Sequence, residues 1–374
     1  MRLFNILVCS DSFKGSLSSK DIIDIYEVES KNEENVKITG VEIADGGEGT
    51  LDAISKFGKY EWKEIECFNP LFEKITAKYL LSQDVAIIEM AQASGITLIP
   101  YKDGNAAKTT TFGTGELILD AIRNGAKHIF ITVGGSATND GGIGALNALG
   151  YEFLDKEGNA LEPIGESLIK IKDIDTSKAI NTNGIKFTVV ADVENKLLGK
   201  KGATYVYGPQ KGAVGDVKKQ LEEGMKKYNS VVKKVLGTDM STLEHGGAAG
   251  GLAAGLMAFL NANVQSGIET ILDLIDFDTL LNNADAVITG EGCLDEQSLQ
   301  GKVVCGVTKR CIKKKVPVYV MAGITKIQGA DGIKRIKTLR EYARDSEDSI
   351  LNAKIYARIV AKELLKEIVE DIKG

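Results

Sequence analysis

The chain has 374 residues, among them 41 glycines but only 5 prolines and 2 histidines. The glycines follow no Gly-X-Y period, which excludes a collagen-like chain, and two distant histidines with no Cys-x-x-Cys pair exclude the common zinc motifs. A formal net charge of -6 gives no electrostatic drive toward nucleic acid, and no apolar run is long enough to span a membrane.

Short β-branched apolar runs alternate with longer segments of helical period, which is typical of an α/β protein with largely parallel sheets. In chain order we predict strand Leu3–Cys9, helix Lys20–Glu29, strands Val36–Ile43 and Val85–Met90, helix Gly115–Asn124, strands His128–Val133 and Lys186–Ala191, helices Val214–Leu236 and Ala248–Leu260, strand Ala286–Thr289, helix Val303–Lys314, strand Val316–Met321 and helix Ser349–Ile372. In the last helix six apolar residues share one broad face and should pack inward: Ile355, Ile359, Leu365, Ile368, Val369 and Ile372.

The first glycine-bearing turn, Asp11-Ser-Phe-Lys-Gly-Ser-Leu-Ser18, joins the first predicted strand to the first predicted helix. Ser16 or Ser18 can cap that helix, and its amino-terminal N–H groups together with Lys14 favour an anion. A phosphate or carboxylate site and an ordinary capped turn explain this motif equally well.

Two further turns combine glycines with polar side chains after a strand. In Ala44-Asp-Gly-Gly-Glu-Gly-Thr50, the acids Asp45 and Glu48 could hold a metal or a hydroxyl group, although paired glycines also make tight turns. The second, Val133-Gly-Gly-Ser-Ala-Thr-Asn-Asp-Gly-Gly142, offers the backbone amide, hydroxyl and side-chain amide groups that a phosphate site needs. Its many glycines favour a binding role over a purely structural one.

Carboxylates also follow two later strands. Glu291 and Asp295 are expected in one flexible turn with Lys302 just beyond it, and Asp192 directly follows the strand Lys186–Ala191. Open α/β sheets bind ligands at the carboxyl ends of their strands, but each acid could equally be a solvated loop residue. Gly208-Pro-Gln-Lys-Gly212 adds a lysine in a tight turn, whereas close helix packing explains the small residues 246–255 at least as well as anion binding does.

Several familiar motifs are missing. The chain has no Gly-x-Gly-x-x-Gly fingerprint, no Walker A loop, no Gly-x-Ser-x-Gly elbow and no protein-kinase signature set. What remains is a site of glycines, carboxylates, lysines and hydroxyls with almost no histidine. That inventory favours phosphoryl transfer, where Mg²⁺ and lysine neutralise charge and an aspartate takes the acceptor proton.

Seven motifs occur in order between residue 3 and about residue 325: Asp11-Ser-Phe-Lys-Gly-Ser-Leu-Ser18, Ala44-Asp-Gly-Gly-Glu-Gly-Thr50, Glu89-Met-Ala-Gln-Ala-Ser-Gly95, Gly113-Thr-Gly-Glu-Leu-Ile118, Gly134-Gly-Ser-Ala-Thr-Asn-Asp-Gly-Gly142, Gly208-Pro-Gln-Lys-Gly-Ala213 and Thr289-Gly-Glu-Gly-Cys-Leu-Asp295. Taken together, they resemble the bacterial glycerate kinases of the type-1 family. Each motif alone is weak, but their shared order makes the resemblance specific.

The resemblance implies an ATP- and Mg²⁺-dependent kinase that phosphorylates D-glycerate, with 2-phosphoglycerate as the favoured product. It also implies an α/β fold with two domains. A discontinuous restriction-enzyme-like or Rossmann-like domain is expected over residues 1–68 and 279–374, and an inserted flavodoxin-like domain over residues 69–278. The active site is then expected in the cleft between these domains.

The catalytic residues expected on this basis are Asp192, Lys14 and Asp295. Asp192 would accept the proton of the glycerate hydroxyl; Asp295 is the alternative base, but with Glu291 it could instead hold Mg²⁺. Lys14 and the adjacent helix start would bind phosphate or the glycerate carboxylate, and the turn Gly134–Asn139 would bind the other anion. The expected substrate- and phosphate-binding residues are Asp11, Ser12, Lys14, Asp45, Gly46, Gly134, Gly135, Ser136, Thr138, Asn139, Asn195, Lys211, Gln297 and Lys302.

Two other functions stay open at this point: a kinase for another small hydroxy acid, and a metabolite-binding regulator without turnover. The expected partners are D-glycerate and ATP, with no nucleic acid and no membrane, and an exposed face of the C-terminal helix could serve a homodimer. Five scattered cysteines fit a reducing compartment, and no leader pattern precedes the first strand. We therefore expect a cytoplasmic protein.

Overall fold

The computed structural model describes residues 2–43, 49–57, 59–100, 105–296, 298 and 301–373. The chain forms two compact units. Unit 1 comprises residues 1–45 and 268–374, and unit 2 comprises residues 46–267. No helix among the described residues is long and apolar enough to cross a membrane.

The strands, in chain order, are β1 (Phe4–Val8), β2 (Val36–Gly40), β3 (Glu61–Phe68), β4 (Lys74–Ser82), β5 (Val85–Glu89), β6 (His128–Thr132), β7 (Glu152–Leu154), β8 (Asp173–Asp175), β9 (Lys186–Val190), β10 (Asn263–Gln265), β11 (Ala286–Leu294), β12 (Val318–Thr325) and β13 (Ile333–Thr338). The α-helices are α1 (Ser19–Glu29), α2 (Thr50–Ser55), α3 (Ala91–Ser94), α4 (Phe112–Arg123), α5 (Ile143–Ala148), α6 (Ala203–Tyr207), α7 (Gly215–Leu236), α8 (Leu252–Leu260), α9 (Gly267–Leu274), α10 (Phe277–Leu281), α11 (Val303–Lys314), α12 (Ser346–Leu351) and α13 (Ala353–Lys373). The predicted α/β class is confirmed.

Unit 1 contains a five-stranded sheet in the order β13-β12-β11-β1-β2, with every neighbouring pair parallel. From β1 the chain continues to β2 on one side, and later returns through β11, β12 and β13 on the other side. The strand order therefore reverses between β1 and β11. In open parallel sheets, ligands bind outside the carboxyl ends of the strands at this kind of reversal.

Helices α1 and α13 pack against one face of this sheet. Their buried side chains join strand residues in one apolar core, which includes Ile22, Leu364 and Ile368 from the helices and Ile6 and Ile288 from the strands. Helix α11 packs on β11 and β12. The predicted inward face of the last helix is partly wrong: Ile355 is 58% exposed and Ile359 is 38% exposed, because helix α13 turns the neighbouring residues toward the core instead.

Unit 2 contains a six-stranded sheet in the order β10-β9-β6-β5-β4-β3. Strands β5, β6, β9 and β10 run parallel, whereas β3, β4 and β5 form an antiparallel meander. The parallel strands are apolar on successive residues, such as Ile87 and Ile88, which are both fully buried. This pattern is typical of strands that are covered on both faces.

Three predicted elements have other bounds in the structure. Strand β11 continues five residues beyond the predicted Ala286–Thr289, because residues up to Leu294 keep pairing with β12. The predicted helix Ala248–Leu260 is interrupted: Ala249 and Gly250 have φ of 51° and 64°, and α8 begins only at Leu252. Likewise, the last helical segment breaks at Asn352, between α12 and α13.

The compact units divide the chain at other points than the predicted crossings at 68/69 and 278/279. Strand β3 pairs with β4 along its whole length, from Glu61 with Leu81 to Phe68 with Lys74, so it belongs to the sheet of unit 2. The domain boundaries of this chain that the resemblance implies, at 68/69 and 278/279, stay a prediction.

Candidate active site

In unit 1, the turn after β1 lies directly beside β11. The N–H of Asp11 donates to the carbonyl oxygen of Gly290 over 2.9 Å. Asp11 Oδ1 accepts a hydrogen bond from the N–H of Ser12 over 2.6 Å, and Lys14 is exposed. Asp11, Ser12 and Lys14 therefore stand against the strand that carries Glu291.

Glu291 lies on β11 itself rather than in the flexible turn predicted for it, and it is 7% exposed. Its Oε1 is buried without a hydrogen-bond partner among the described residues, and its Oε2 lies 4.0 Å from Nζ of Lys302. Burial raises the pKa of Glu291, a hydrogen bond with Ser298 and the charge of Lys302 oppose this rise, and the carboxylates of Asp11 and Asp295 add to it.

Asp295 begins the segment after β11. Its Oδ1 accepts hydrogen bonds from the N–H of Ser298 over 3.2 Å and from the Ser298 hydroxyl over 3.3 Å. Its Oδ2 lies 3.9 Å from Nζ of Lys326. The structure thus brings Asp295 to the same strand end as Glu291, while the predicted ligand Gln297 lies outside the described residues.

These carboxylates suit a magnesium ion. Mg²⁺ usually takes one or two protein carboxylates and completes its shell with water and phosphate oxygens. Within the described ranges, no group of three or more His, Cys, Asp or Glu side chains is arranged to hold a metal by itself. The partnerless Oε1 of Glu291 and the repulsion from Asp11 and Asp295 are features that a bound cation would relieve.

The start of α1 is capped by Ser18, one of the two predicted caps. The Ser18 hydroxyl accepts from the N–H of Asp21 over 3.0 Å, and the Asp21 carboxylate accepts from the N–H of Ser18 over 3.0 Å. This capping box places a carboxylate at the positive end of the helix. An anion beside Lys14 would therefore meet the negative charge of Asp21 at this helix start.

In unit 2, three neighbouring parallel strands end in polar groups. Strands β5, β6 and β9 are adjacent, with Glu89 in register with Thr132 and Thr132 in register with Val190. Glu89 ends β5, the turn Gly134–Asn139 follows β6, and Asp192 follows β9. The turn Gly134–Asn139, predicted to bind an anion, and Asp192, the predicted base, therefore lie at adjacent strand ends, at one edge of the sheet.

The turn Gly134–Asn139 is accessible only at its beginning. Gly135 is exposed, with φ of +71°, and Ser136 is 8% exposed. Thr138 and Asn139 are fully buried, and Thr138 Oγ1 and Asn139 Oδ1 have no hydrogen-bond partner in the part of the chain that the structure describes. A ligand would meet the residues Gly134–Ser136, while an internal water could satisfy the two buried atoms.

Asp140, which the expected site residues did not include, holds this turn together from inside. Its fully buried carboxylate accepts from the N–H and the hydroxyl of Thr111 over 2.8 and 2.7 Å, and from the N–H groups of Gly142 and Gly144 over 3.1 and 3.2 Å. Burial raises the pKa of Asp140, and these hydrogen bonds oppose the rise. The N–H groups of Gly142 and Gly144 therefore bind Asp140 and are not available to a ligand.

Lys211 is buried behind the same turn. Its Nζ donates to Oγ of Ser136 over 2.6 Å and to the carbonyl oxygen of Thr138 over 2.8 Å, and the residue is 4% exposed. Burial lowers the pKa of Lys211 to about 7, against the opposing effect of the Asp140 carboxylate. The structure thus brings the predicted residues Lys211 and Ser136 into direct contact.

Asp192 is exposed and held in place. Its Oδ1 accepts from the Ser266 hydroxyl over 3.0 Å and from the N–H of Gly267 over 2.7 Å. Asn195, in contrast, bonds within its own loop: its Nδ2 donates to the carbonyl oxygen of Lys201 over 2.7 Å, and its Oδ1 accepts from the Tyr207 hydroxyl over 2.5 Å. Asn195 shapes the loop that follows Asp192.

A pocket of about 310 Å³ opens at the carboxyl end of β5. Its lining residues are Gly49, Thr76, Glu89, Ala91, Gln92, Thr97 and Leu98. Glu89 is 1% exposed, and its Oε2 accepts from the N–H of Leu51 over 3.4 Å, at the start of α2. Sequence reasoning missed Glu89 as a site residue, although an acid at a strand end is the same signal that selected Asp192. The predicted ligands Asp45 and Gly46, just before Gly49 in the chain, lie outside the described residues.

The small residues 246–255 pack against the segment that follows β6. A Cβ on Gly250 would lie 2.1 Å from the carbonyl oxygen of Thr138, and a Cβ on Gly255 would lie 2.6 Å from that of Gly141. No side chain fits at such distances. Close packing, one of the two explanations offered by the sequence, accounts for these glycines.

Replacing Gly250 by alanine should therefore destabilise the protein by about 1–3 kcal/mol more than replacing Gly184 by alanine. Both glycines have positive φ, +64° and +80°, but a Cβ on Gly184 would meet nothing within 4 Å. The Gly184→Ala variant thus measures backbone strain alone, and the difference measures the clash with Thr138. Urea unfolding followed by circular dichroism gives both values, and equal losses would contradict the packing argument.

The chain was compared with protein-family models, with curated proteins and with solved structures. The model of the glycerate kinase family matches residues 6–369. A glycerate kinase of Bacillus cereus is 41% identical over 325 residues, covering 85% of this chain and 84% of the relative. A glycerate 2-kinase of Escherichia coli is 38% identical over 363 residues, covering 93% and 95% of the two chains. A crystal structure described as glycerate kinase 2 from Salmonella typhimurium superimposes with a TM-score of 0.84 at 34% identity, covering 100% of both chains.

Proposed function

The chain belongs to the glycerate kinase family, and from that premise we propose that it transfers the γ-phosphoryl group of ATP to a hydroxyl group of D-glycerate. The observation that carries the proposal, beside family membership, is the placement of acids and anion donors at strand ends in both units. Asp11, Glu291 and Asp295 stand at the reversal between β1 and β11. Asp192 and the turn Gly134–Asn139 follow adjacent strands of unit 2.

The proposed roles follow from the chemistry of these groups. Asp192 accepts the proton of the attacking glycerate hydroxyl, since it is exposed and its Oδ1 is oriented by two hydrogen bonds. Lys14 and the residues Gly134–Ser136 bind the two anionic groups, a phosphate of ATP and the carboxylate of glycerate. Glu291 and Asp295 would hold Mg²⁺, which supplies charge neutralisation for the transferred phosphoryl group.

We also propose 2-phosphoglycerate as the product, on the strength of 38% identity to the glycerate 2-kinase. Transfer to the 2-hydroxyl or the 3-hydroxyl differs only in how the same substrate lies in the site. Phosphorus NMR of the product distinguishes the two phosphate esters directly. A 3-phosphoglycerate signal would overturn this choice without affecting the proposed reaction.

A coupled assay of ADP release tests the function. Glycerate, tartronate, lactate and glycerol are offered in turn with ATP and Mg²⁺. We expect the highest kcat/KM with glycerate, because glycerol lacks the carboxylate and lactate lacks the 3-hydroxyl. A higher value with another acid would favour a kinase for that acid. No ADP release with any of the four would favour a non-catalytic metabolite-binding regulator.

Four finer expectations stay predictions beside this proposal. The first is the fold of the two domains, restriction-enzyme-like or Rossmann-like for one and flavodoxin-like for the other. The others are an active site to which both domains contribute, a homodimer and a cytoplasmic location. The proposed reaction needs ATP as a co-substrate and is compatible with each of them.

A further inference from the structure

Ser136 and Lys211 form a closely packed pair at the accessible end of the turn Gly134–Asn139. Nζ of Lys211 lies 2.6 Å from Oγ of Ser136, and the amine is held from the other side by the Thr138 carbonyl oxygen at 2.8 Å. The backbone around Ser136 is also fixed, by a β-bridge to Gly95 and by a hydrogen bond from the N–H of Ala137 to the carbonyl oxygen of Ser94, the last residue of α3. Neither partner can move away without breaking several bonds.

Which of the two side chains donates in this hydrogen bond depends on whether the amine of Lys211 is protonated. A protonated lysine can only donate, so Oγ of Ser136 must accept, and the hydroxyl hydrogen of Ser136 is left for another partner. Ser136 retains 8% of its surface, next to the exposed Gly135. A ligand at this end of the turn can therefore accept that hydrogen.

Building on the proposed function, we propose that Lys211 is a positioning residue whose protonated amine fixes the Ser136 hydroxyl as a donor to the substrate anion at this turn. The anion is a phosphate of ATP or the carboxylate of glycerate, since both accept such a hydrogen bond. When the amine loses its proton, its lone pair can accept the Ser136 hydrogen, while one N–H still serves the Thr138 carbonyl. The anion then loses its donor.

The charges around Lys211 set the pH range of this change. Burial lowers the pKa of Lys211 to about 7, and the carboxylate of Asp140 opposes the shift. The other described groups in hydrogen-bond contact with the amine, the Ser136 hydroxyl and the Thr138 carbonyl, are neutral. Because the protonated form binds the anion more tightly, affinity is full below this pKa and falls as the pH rises through it.

The test is the pH dependence of KM for ATP and, separately, for glycerate, measured from about pH 6 to about pH 9. The enzymes compared are wild type, Ser136→Ala, Ser136→Thr and Lys211→Met. We expect one of the two KM values to rise about tenfold to a hundredfold with pH in wild type, with a smaller change in kcat. The substrate whose KM responds is the one bound at this turn. Titration of ATP itself affects all four enzymes equally.

The variants should separate positioning from a merely structural role. Ser136→Ala should show the raised KM at every pH, and Lys211→Met should lose the pH dependence because no amine remains to titrate, whereas Ser136→Thr, which keeps the hydroxyl, should keep the wild-type profile. A Ser136→Ala enzyme that keeps the wild-type pH profile for both substrates overturns the proposal, even if Lys211→Met does not fold. No ADP release from glycerate by wild type at any pH would instead refute the proposed function.

Discussion

The Asp192→Asn variant should lose about 10²- to 10⁴-fold in kcat with glycerate, while both KM values change by no more than a few-fold. Asparagine cannot accept the proton of the attacking hydroxyl at any working pH. It can, however, keep the local structure, because its side-chain oxygen can accept the same bonds from Ser266 and Gly267, which are now 3.0 and 2.7 Å long. The loss should therefore appear in the chemical step and not in binding.

The matched control is Glu194→Gln, an exposed acid two residues further along the same loop, which removes the same charge. Its kcat should stay near that of wild type. Single-turnover measurements at saturating ATP separate the phosphoryl-transfer step from product release. If Asp192→Asn keeps full kcat, Asp192 is not the base, and Asp295 is the next acid to replace.

The Asp140→Ala variant should be destabilised by roughly 3–5 kcal/mol. Alanine leaves two N–H groups at the end of the turn, and the N–H and hydroxyl of Thr111, without the carboxylate that they bond to over 2.7–3.2 Å. It also removes the negative charge that opposes the desolvation of Lys211, so an isolated buried amine remains. The anion turn should become disordered before the rest of unit 2 unfolds.

Urea unfolding followed by circular dichroism measures the loss, and hydrogen exchange of the turn amides shows where it begins. Asp216→Ala is the control, since the Asp216 side chain is 97% exposed and its replacement should change stability by no more than about 0.5 kcal/mol. Equal effects of the two substitutions would show that Asp140 does not organise the turn.

Much of the secondary structure could be predicted because its apolar pattern is strong. The predicted strands include the central strands β1, β6 and β11, which are apolar on both faces. The strands that the sequence does not reveal lie at or next to a sheet edge, such as β3 and β13, where charged residues interrupt the apolar ones. In β13, three of the six residues, Lys334, Arg335 and Lys337, are basic, so the strand shows no apolar run.

Part of the candidate site could also be predicted from the sequence. Asp192 and the turn after β6 were selected because polar groups at strand ends are where α/β sheets bind ligands, and the structure places them at adjacent strand ends. Glu89 follows the same rule and was overlooked. The role of Asp140 could not be anticipated, because its bond to Thr111 spans 29 residues of chain and nothing local to either residue indicates it.

The sequence by itself determined the α/β class, the family and the types of side chain in the candidate site. Apolar periodicity, and glycine- and acid-containing motifs in a fixed order, can be read directly from one chain. The tertiary structure decided which of these residues are accessible and which partners they have. It placed Glu291 on a strand, buried Thr138 and Asn139, and brought Lys211 to Ser136 across 75 residues of chain. Burial and long-range contacts depend on how elements pack, and they set the pKa values and hydrogen-bond directions on which the proposed mechanism rests.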